Sequence, residues 1–274
     1  MSVFEAIVLG ITQGLTEFLP ISSTAHLRIV PAFAGWGDPG AAFTAVVQLG
    51  TMAAVLLYFR RDLIRIAEGW LAGLRRPELR GELDSRLGWY LILATIPIGI
   101  FGLAFKDQIE SGARNLELIA SMLIVVGFVL LAAESVATQA RNLEQVNTRD
   151  GVIIGLAQAV ALIPGTSRSG ATIAAGLFRG LDRASAARFS FLLSVPAVVL
   201  SGLFELRNIV TGKEHQKAGA FALVVATVLA FVVGYISIAW LLRFLVTHTT
   251  KVFVAYRVAL GVIVLALAIP GVIS

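Results

Sequence analysis

No cysteine occurs among the 274 residues of this chain, which excludes disulfides, thiolate nucleophiles and cysteine-held metals. Charge is scarce too: 14% of residues are Asp, Glu, Lys or Arg, whereas a soluble domain carries about 25%. Histidine occurs three times, and no run of acids and histidines has the spacing of a metal cage. No basic patch interleaved with aromatics is present, so nucleic acid is not an expected partner. The N-terminus carries Glu5 and no basic residue ahead of its apolar run, unlike a cleaved signal peptide. What is abundant is apolar surface, at 57% hydrophobic residues and a mean hydropathy of +0.86. The class that remains is an all-α, polytopic integral membrane protein, one membrane domain over 1–274.

Apolar runs near 42–59, 87–105, 116–135, 186–204, 219–243 and 252–272 predict six spanning helices. Two further apolar stretches are broken by polar turns. Residues 3–21 run into Pro20-Ile21-Ser22-Ser23-Thr24-Ala25-His26 and then a short apolar piece to Trp36. Residues 151–163 run into Pro164-Gly165-Thr166-Ser167-Arg168-Ser169-Gly170-Ala171-Thr172 and then Ala174 to Phe178. Half-length pieces around a polar tip fall short of the about 20 residues a crossing needs, and each predicts a re-entrant hairpin. A plain spanning helix remains the alternative for the first.

The 22 Lys and Arg exceed the 17 Asp and Glu, and their placement reads as topology. Seven arginines fall in 60–86, a stretch expected to be partly helical and cytoplasmic. On that orientation fourteen basic residues lie inside and five outside, namely Lys106, Arg114, Arg207, Lys213 and Lys217. Arg28, Arg168 and Arg257 are left within or at the edge of the membrane, and both termini face outside.

An internal repeat is expected, one copy at about 1–135 and one at about 151–274. Leu9-Gly10-Ile11-Thr12-Gln13 matches Ile154-Gly155-Leu156-Ala157-Gln158 at an offset of 145. Leu19-Pro20 matches Ile163-Pro164 at 144, and Val47 to Phe59 lies over Leu192 to Phe204 at 145. Each half then holds one hairpin and three spans. An odd number of crossings inverts the second half and lets the two polar tips meet near the midplane.

The tips together bring Gln13, Glu17, Ser22, Ser23, Thr24 and His26 to Ser167, Arg168, Ser169, Gly170 and Thr172. Gln13 and Glu17 are four apart and share a helix face. Beyond Glu5 at its start, Glu17 is the one acid inside its run, and Arg168 is the obvious cation to offset the cost of burying it. Loop amides, hydroxyls and a guanidinium fork suit phosphate oxygens. A hydroxyl or water could attack, with Glu17 or His26 moving the proton. Phosphoryl transfer on a lipid is the reading this set favours. A carrier or flippase for a lipid phosphate, using the same anion cradle, is the alternative.

Gln13 to His26 (QGLTEFLPISSTAH) and Pro164 to Thr172 (PGTSRSGAT) resemble the two motifs of the bacterial undecaprenyl-diphosphate phosphatases of the bacitracin-resistance type. The first motif is Glu or Gln, three residues, Glu; the second is Pro-Gly-x-Ser-Arg-Ser-x-x-Thr. The resemblance covers nearly the whole chain, including Ala255-Tyr256-Arg257. It implies hydrolysis of undecaprenyl diphosphate to the monophosphate carrier of peptidoglycan synthesis, with bacitracin resistance as a consequence. It also implies a multi-pass protein of the bacterial cell membrane with its site open to the outer face, and leaves room for a homo-oligomer. A divalent cation, Mg²⁺ or Ca²⁺, is expected by resemblance, held by Glu17 and substrate phosphates. By the same resemblance Glu17 is the indispensable carboxylate, Arg168 the phosphate clamp, Ser23 a nucleophile and His26 a proton carrier. The choice among Ser23, His26 and water stays open. Gln13, Ser22, Thr24, Ser167, Ser169, Gly170 and Thr172 are supporting contacts. Arg257 is either a second phosphate contact or the partner of Glu134 or Glu205. The other membrane lipid-phosphatase superfamily needs a late histidine with an acid four residues on, but Gly219 and Val252 follow His215 and His248 at that distance.

Overall fold

The computed structural model describes residues 1–105, 108–109, 115–210 and 218–273, with the backbone alone for residue 41 and for 201–210. The expected outer cations Lys106, Arg114, Lys213 and Lys217, the Arg207 side chain and His215 lie outside these. Eleven α-helices span most of the described residues, with no strand among them. They are α1 (Val3–Phe18), α2 (Ser23–Ala34), α3 (Ala41–Tyr58), α4 (Arg60–Arg75), α5 (Leu83–Ala104) and α6 (Leu116–Val136). After them come α7 (Thr148–Val160), α8 (Arg168–Phe178), α9 (Arg183–Val210), α10 (Ala220–Thr247) and α11 (Lys251–Ala268). Five of these are long and apolar enough to cross a bilayer, and a sixth span appears if α3 and α4, bent by 69°, count as one. The protein is therefore an all-helical, multi-pass membrane protein.

Both expected breaks are present. Pro20 removes a backbone donor and pushes the residue before it out of helical space; Leu19 is accordingly extended, and α1 stops at Phe18. The chain turns and restarts at Ser23, capped by the Ser22 hydroxyl accepting from the Ala25 N–H. α7 stops at Val160, and after Pro164 and Gly165 the chain restarts at Arg168, capped by the Ser167 hydroxyl accepting from the Gly170 N–H. Gly165 sits at φ +88°, and a Cβ there would lie 2.4 Å from the Ile119 carbonyl oxygen. Only glycine fits that turn.

Within a bilayer, helices associate chiefly by close backbone approach and interhelical polar contacts. α10 presents Ala222, Ala226, Ala230 and Gly234 at a four-residue period, all buried. α1 lies on this stripe so tightly that a Cβ at Gly10 would come 2.5 Å from the Ala226 carbonyl oxygen. α7 meets α5 in the same way, a Cβ at Gly155 falling 2.5 Å from Ala94 Cα. The first arm of each broken pair is thus pinned by a helix distant in sequence. A large residue at Gly10 or Gly155 would force the helices apart.

The stretch 60–86 is partly helical, as the sequence led us to expect. α4 packs Ile66 and Gly73 inward and leaves Ile64, Leu71 and Leu74 exposed. Ion pairs tie the same end of the bundle together: Arg188 to Asp62 at 2.7 Å, Arg65 to Asp84 at 3.1 Å, and Arg183 to Glu134. Asp150, in the first turn of α7, accepts from Arg141 at 2.5 Å and Arg179 at 2.7 Å. Burial works to raise its pKa, but the two guanidiniums prevail and hold the carboxyl below its ordinary range.

Candidate active site

The two polar turns face one cavity of about 520 Å³, with Gln13, Glu17, Ser23, Thr24 and Arg168 on its wall. Glu17 is the hub. Its Oε2 accepts from Ser23 Oγ at 2.5 Å and from Gln13 Nε2 at 3.0 Å, and its Oε1 accepts from Arg168 Nη2 at 2.5 Å. The i, i+4 spacing on α1 puts Gln13 and Glu17 on one face, and the break at Pro20 lets Ser23 fold back onto that face. Arg168 reaches the same carboxylate from the first residue of α8, 151 positions away. Among the described residues, Glu17 is the one carboxylate lining the cavity.

α2 and α8 both aim their N-termini at this cavity, so the positive ends of two helix dipoles converge on it. Ser22 and Ser167, which cap them, also line the wall. Each bonds the hydroxyl two residues on, Ser22 to Thr24 at 3.2 Å and Ser167 to Ser169 at 3.1 Å. Both caps have positive φ, 73° and 70°, a conformation costing about 1–3 kcal/mol for a residue with a Cβ.

Arg257 holds these two turns. Its side chain is fully buried, with Nη1 donating to the Pro20 carbonyl at 2.9 Å and Nε to the Leu123 carbonyl at 3.1 Å. Nη2 faces the carbonyls of Met122, Gly165 and Thr166 at 3.3, 3.1 and 2.9 Å. A phosphate contact and a pairing with Glu134 do not match this placement. The guanidinium points at backbone behind the cavity, and Glu134 is taken by Arg183 and by the Thr250 N–H and hydroxyl. The Glu205 side chain lies outside the described residues.

His26 also sits behind the turn. It is buried and not on the cavity wall. A carbonyl can only accept, so Nδ1 donates to the Ser22 carbonyl at 2.7 Å. Nε2 then takes the Tyr256 hydroxyl at 2.7 Å, and the two rings stack at 5.6 Å. Three supporting residues serve the turn rather than the wall. Ser169 donates to the Leu19 carbonyl at 3.0 Å, Gly170 donates to its cap, and Thr172 donates to the Arg168 carbonyl at 2.7 Å. Thr172 also meets Ser190 at 2.6 Å.

The sequence reading missed the α3 side of the site. Thr44 and Gln48 line the cavity, and Thr51 meets Gln13 Nε2 at 3.4 Å. Their i, i+4, i+7 spacing on an otherwise apolar span was the available signal.

A family profile described as bacitracin resistance protein BacA matches residues 6–263. The chain belongs to this family. Similarity to curated bacterial relatives runs the whole length of this family member. An undecaprenyl-diphosphatase of Mycolicibacterium smegmatis is 57% identical over 275 positions, covering 100% of this chain and 99% of the relative. One from Nocardioides sp. is 53% identical over 270 positions, covering 98% of each. Another, from Myxococcus xanthus, is 53% identical over 274 positions, covering 100% of this chain and 92% of the relative.

Proposed function

We propose that the chain is a membrane-embedded phosphatase that hydrolyses undecaprenyl diphosphate to undecaprenyl phosphate and inorganic phosphate. This returns the lipid carrier to cell-wall synthesis and confers bacitracin resistance. Family membership and the relatives' activity support the reaction. The observation that carries the mechanism is the continuous chain Ser23–Glu17–Arg168, a hydroxyl, a carboxylate and a guanidinium in hydrogen-bond contact on one cavity wall.

The Ser23 hydroxyl donates directly to Glu17, the arrangement of a nucleophile with its base. Ser23 Oγ attacks the terminal phosphorus as its proton passes to Glu17. The anhydride P–O bond breaks with its electron pair on the departing undecaprenyl phosphate, which carries the proton away. Glu17 then takes a proton from water, the water oxygen attacks the phosphoserine, and Glu17 returns the proton to Ser23 Oγ as inorganic phosphate leaves. Glu17 occupies one terminal nitrogen of Arg168, leaving the other guanidinium N–H groups for non-bridging oxygens. Those donors and the two helix N-termini stabilise the charge that builds on the phosphoryl group. His26 and Arg257 act as positioning residues that fix the strained turns carrying Ser23 and Arg168.

The donor set fits a divalent cation, Mg²⁺ or Ca²⁺. Gln13 Oε1 is buried without a hydrogen-bond partner beside Glu17, and hard cations take oxygen ligands. No three His, Cys, Asp or Glu side chains gather among the described residues, so Glu17 and Gln13 would hold the ion together with substrate phosphates. Bound there, it supplies neutralisation of phosphate charge.

The test is turnover of undecaprenyl diphosphate labelled with ³²P at its terminal phosphate. We expect phosphate release, and a brief labelling of the protein that disappears in Ser23→Ala together with about a thousandfold or more of the rate. Lipid translocation without phosphate release would overturn the phosphatase reading. A Ser23→Ala enzyme retaining a tenth of the activity would make water the nucleophile.

A further inference from the structure

A second cavity, of about 610 Å³, lies between α5 and α7 and is lined by Phe101, Phe105, Leu118, Leu156, Val160 and Ile163 among others. Its lining is almost wholly apolar, in contrast to the polar wall around Glu17. Phe101 and Phe105 stack at 6.0 Å along one side. Leu162 and Ile109 line both cavities, so the chamber and the groove meet there. Opposite Leu162 α5 is bare. Gly102 faces Leu162, where a Cβ would come no nearer than 3.8 Å, and at Gly99, on the chamber wall, a Cβ would meet nothing within 4 Å.

We propose that this groove is the binding site for the first part of the substrate's prenyl chain, which leaves the chamber past Leu162. The inference rests on the phosphatase reading of the chamber. A diphosphate held on Arg168 carries a long hydrocarbon on its other phosphate, and that chain must run from the polar wall around Glu17 along apolar surface. Ile98, Leu103 and Leu200 give the chamber an apolar side, and Leu162 carries that side into the groove. α5 offers glycine on the chamber wall at 99 and 102, where the chain must slide past backbone, and phenylalanine where it comes to rest. Packing of the first isoprene units against this lining adds dispersion contacts that a soluble diphosphate cannot make. The volume lies within the roughly 300–1,000 Å³ of ordinary ligand pockets. The rest of a longer chain continues into the bilayer.

The closing experiment separates this site from the reaction. In the full-length protein, Leu156→Trp and Val160→Trp each fill the groove from a half-exposed position away from the chamber wall. KM and kcat are measured for undecaprenyl diphosphate and for dimethylallyl diphosphate, whose five carbons end before the groove. We expect KM for the long substrate to rise tenfold or more in both variants, with KM for the short one within about twofold. Equal changes on both substrates, or none, would overturn the proposal. A prenyl monophosphate bearing a diazirine on its second isoprene unit reports occupancy whether or not phosphate is released. Adducts on 99–105 and 156–163 that excess undecaprenyl phosphate suppresses support the site. Adducts spread over all lipid-facing helices and insensitive to that competitor would overturn it, even in an active enzyme. Specific adducts in a protein that releases no phosphate would instead count against the phosphatase reading alone.

Discussion

Ser22 and Ser167 stand 145 residues apart and adopt nearly one conformation, φ 73° ψ 102° and φ 70° ψ 116°. Each caps the helix after it and bonds the hydroxyl two residues on. That offset is the one at which the sequence matches itself. Two helix N-termini meet at one cavity, one bringing Ser23 and the other Arg168.

Glu17 holds three partners and Gln13 only adjusts one of them. Glu17→Gln preserves size and hydrogen bonding but cannot take the Ser23 proton, so phosphate release should fall by two orders of magnitude or more, about 2.7 kcal/mol. Gln13→Glu should be tolerated because the family motif admits either residue. Phosphate release from the purified variants at matched expression checks both. Retention of over a tenth of wild-type turnover by Glu17→Gln would leave Glu17 a structural role only.

Arg168 must serve Glu17 and the phosphate at once, which needs a planar fork. Lysine keeps the charge and loses the fork. Arg168→Lys should therefore lie close to Arg168→Ala, about a hundredfold or more below wild type. Turnover of the lysine variant near wild type would remove the clamp from the mechanism.

His26 and Tyr256 should behave as one unit. Tyr256→Phe removes a net contribution of about 1 kcal/mol, roughly a fivefold loss of rate. His26→Ala should cost more, and the double variant little beyond His26→Ala. The pH dependence of kcat should keep its shape in Tyr256→Phe and in His26→Ala, because the ring braces the Ser22 turn and is not the proton carrier. Loss of one limb of the profile in His26→Ala would restore it to the proton path.

Orientation can be read on a chain without cysteine. Gly81 and Gly37 each have room for a side chain, with nothing within 4 Å of an added Cβ. From the arginine distribution, Gly37→Cys should react with an impermeant thiol reagent in intact cells, and Gly81→Cys only after permeabilisation. The reverse pattern would invert the protein and turn its site to the cytoplasm.

Much of this protein is legible in its sequence alone. Charge scarcity and apolar runs determined a helical membrane protein, because a bilayer leaves backbone polar groups few other ways to be satisfied. Pro20 and Pro164 marked the two breaks through local sterics alone, and the motifs around them named Glu17, Ser23 and Arg168. The tertiary structure decided which residues face the cavity and which stand behind it. His26 and Arg257 carry the chemistry of active-site residues in any one-dimensional reading. Their placement depends on α11 packing behind both turns, a contact between positions more than 200 residues apart in the case of His26 and Tyr256. The spacing of Thr44, Gln48 and Thr51 puts them on one face of α3, and only packing turned that face toward the chamber.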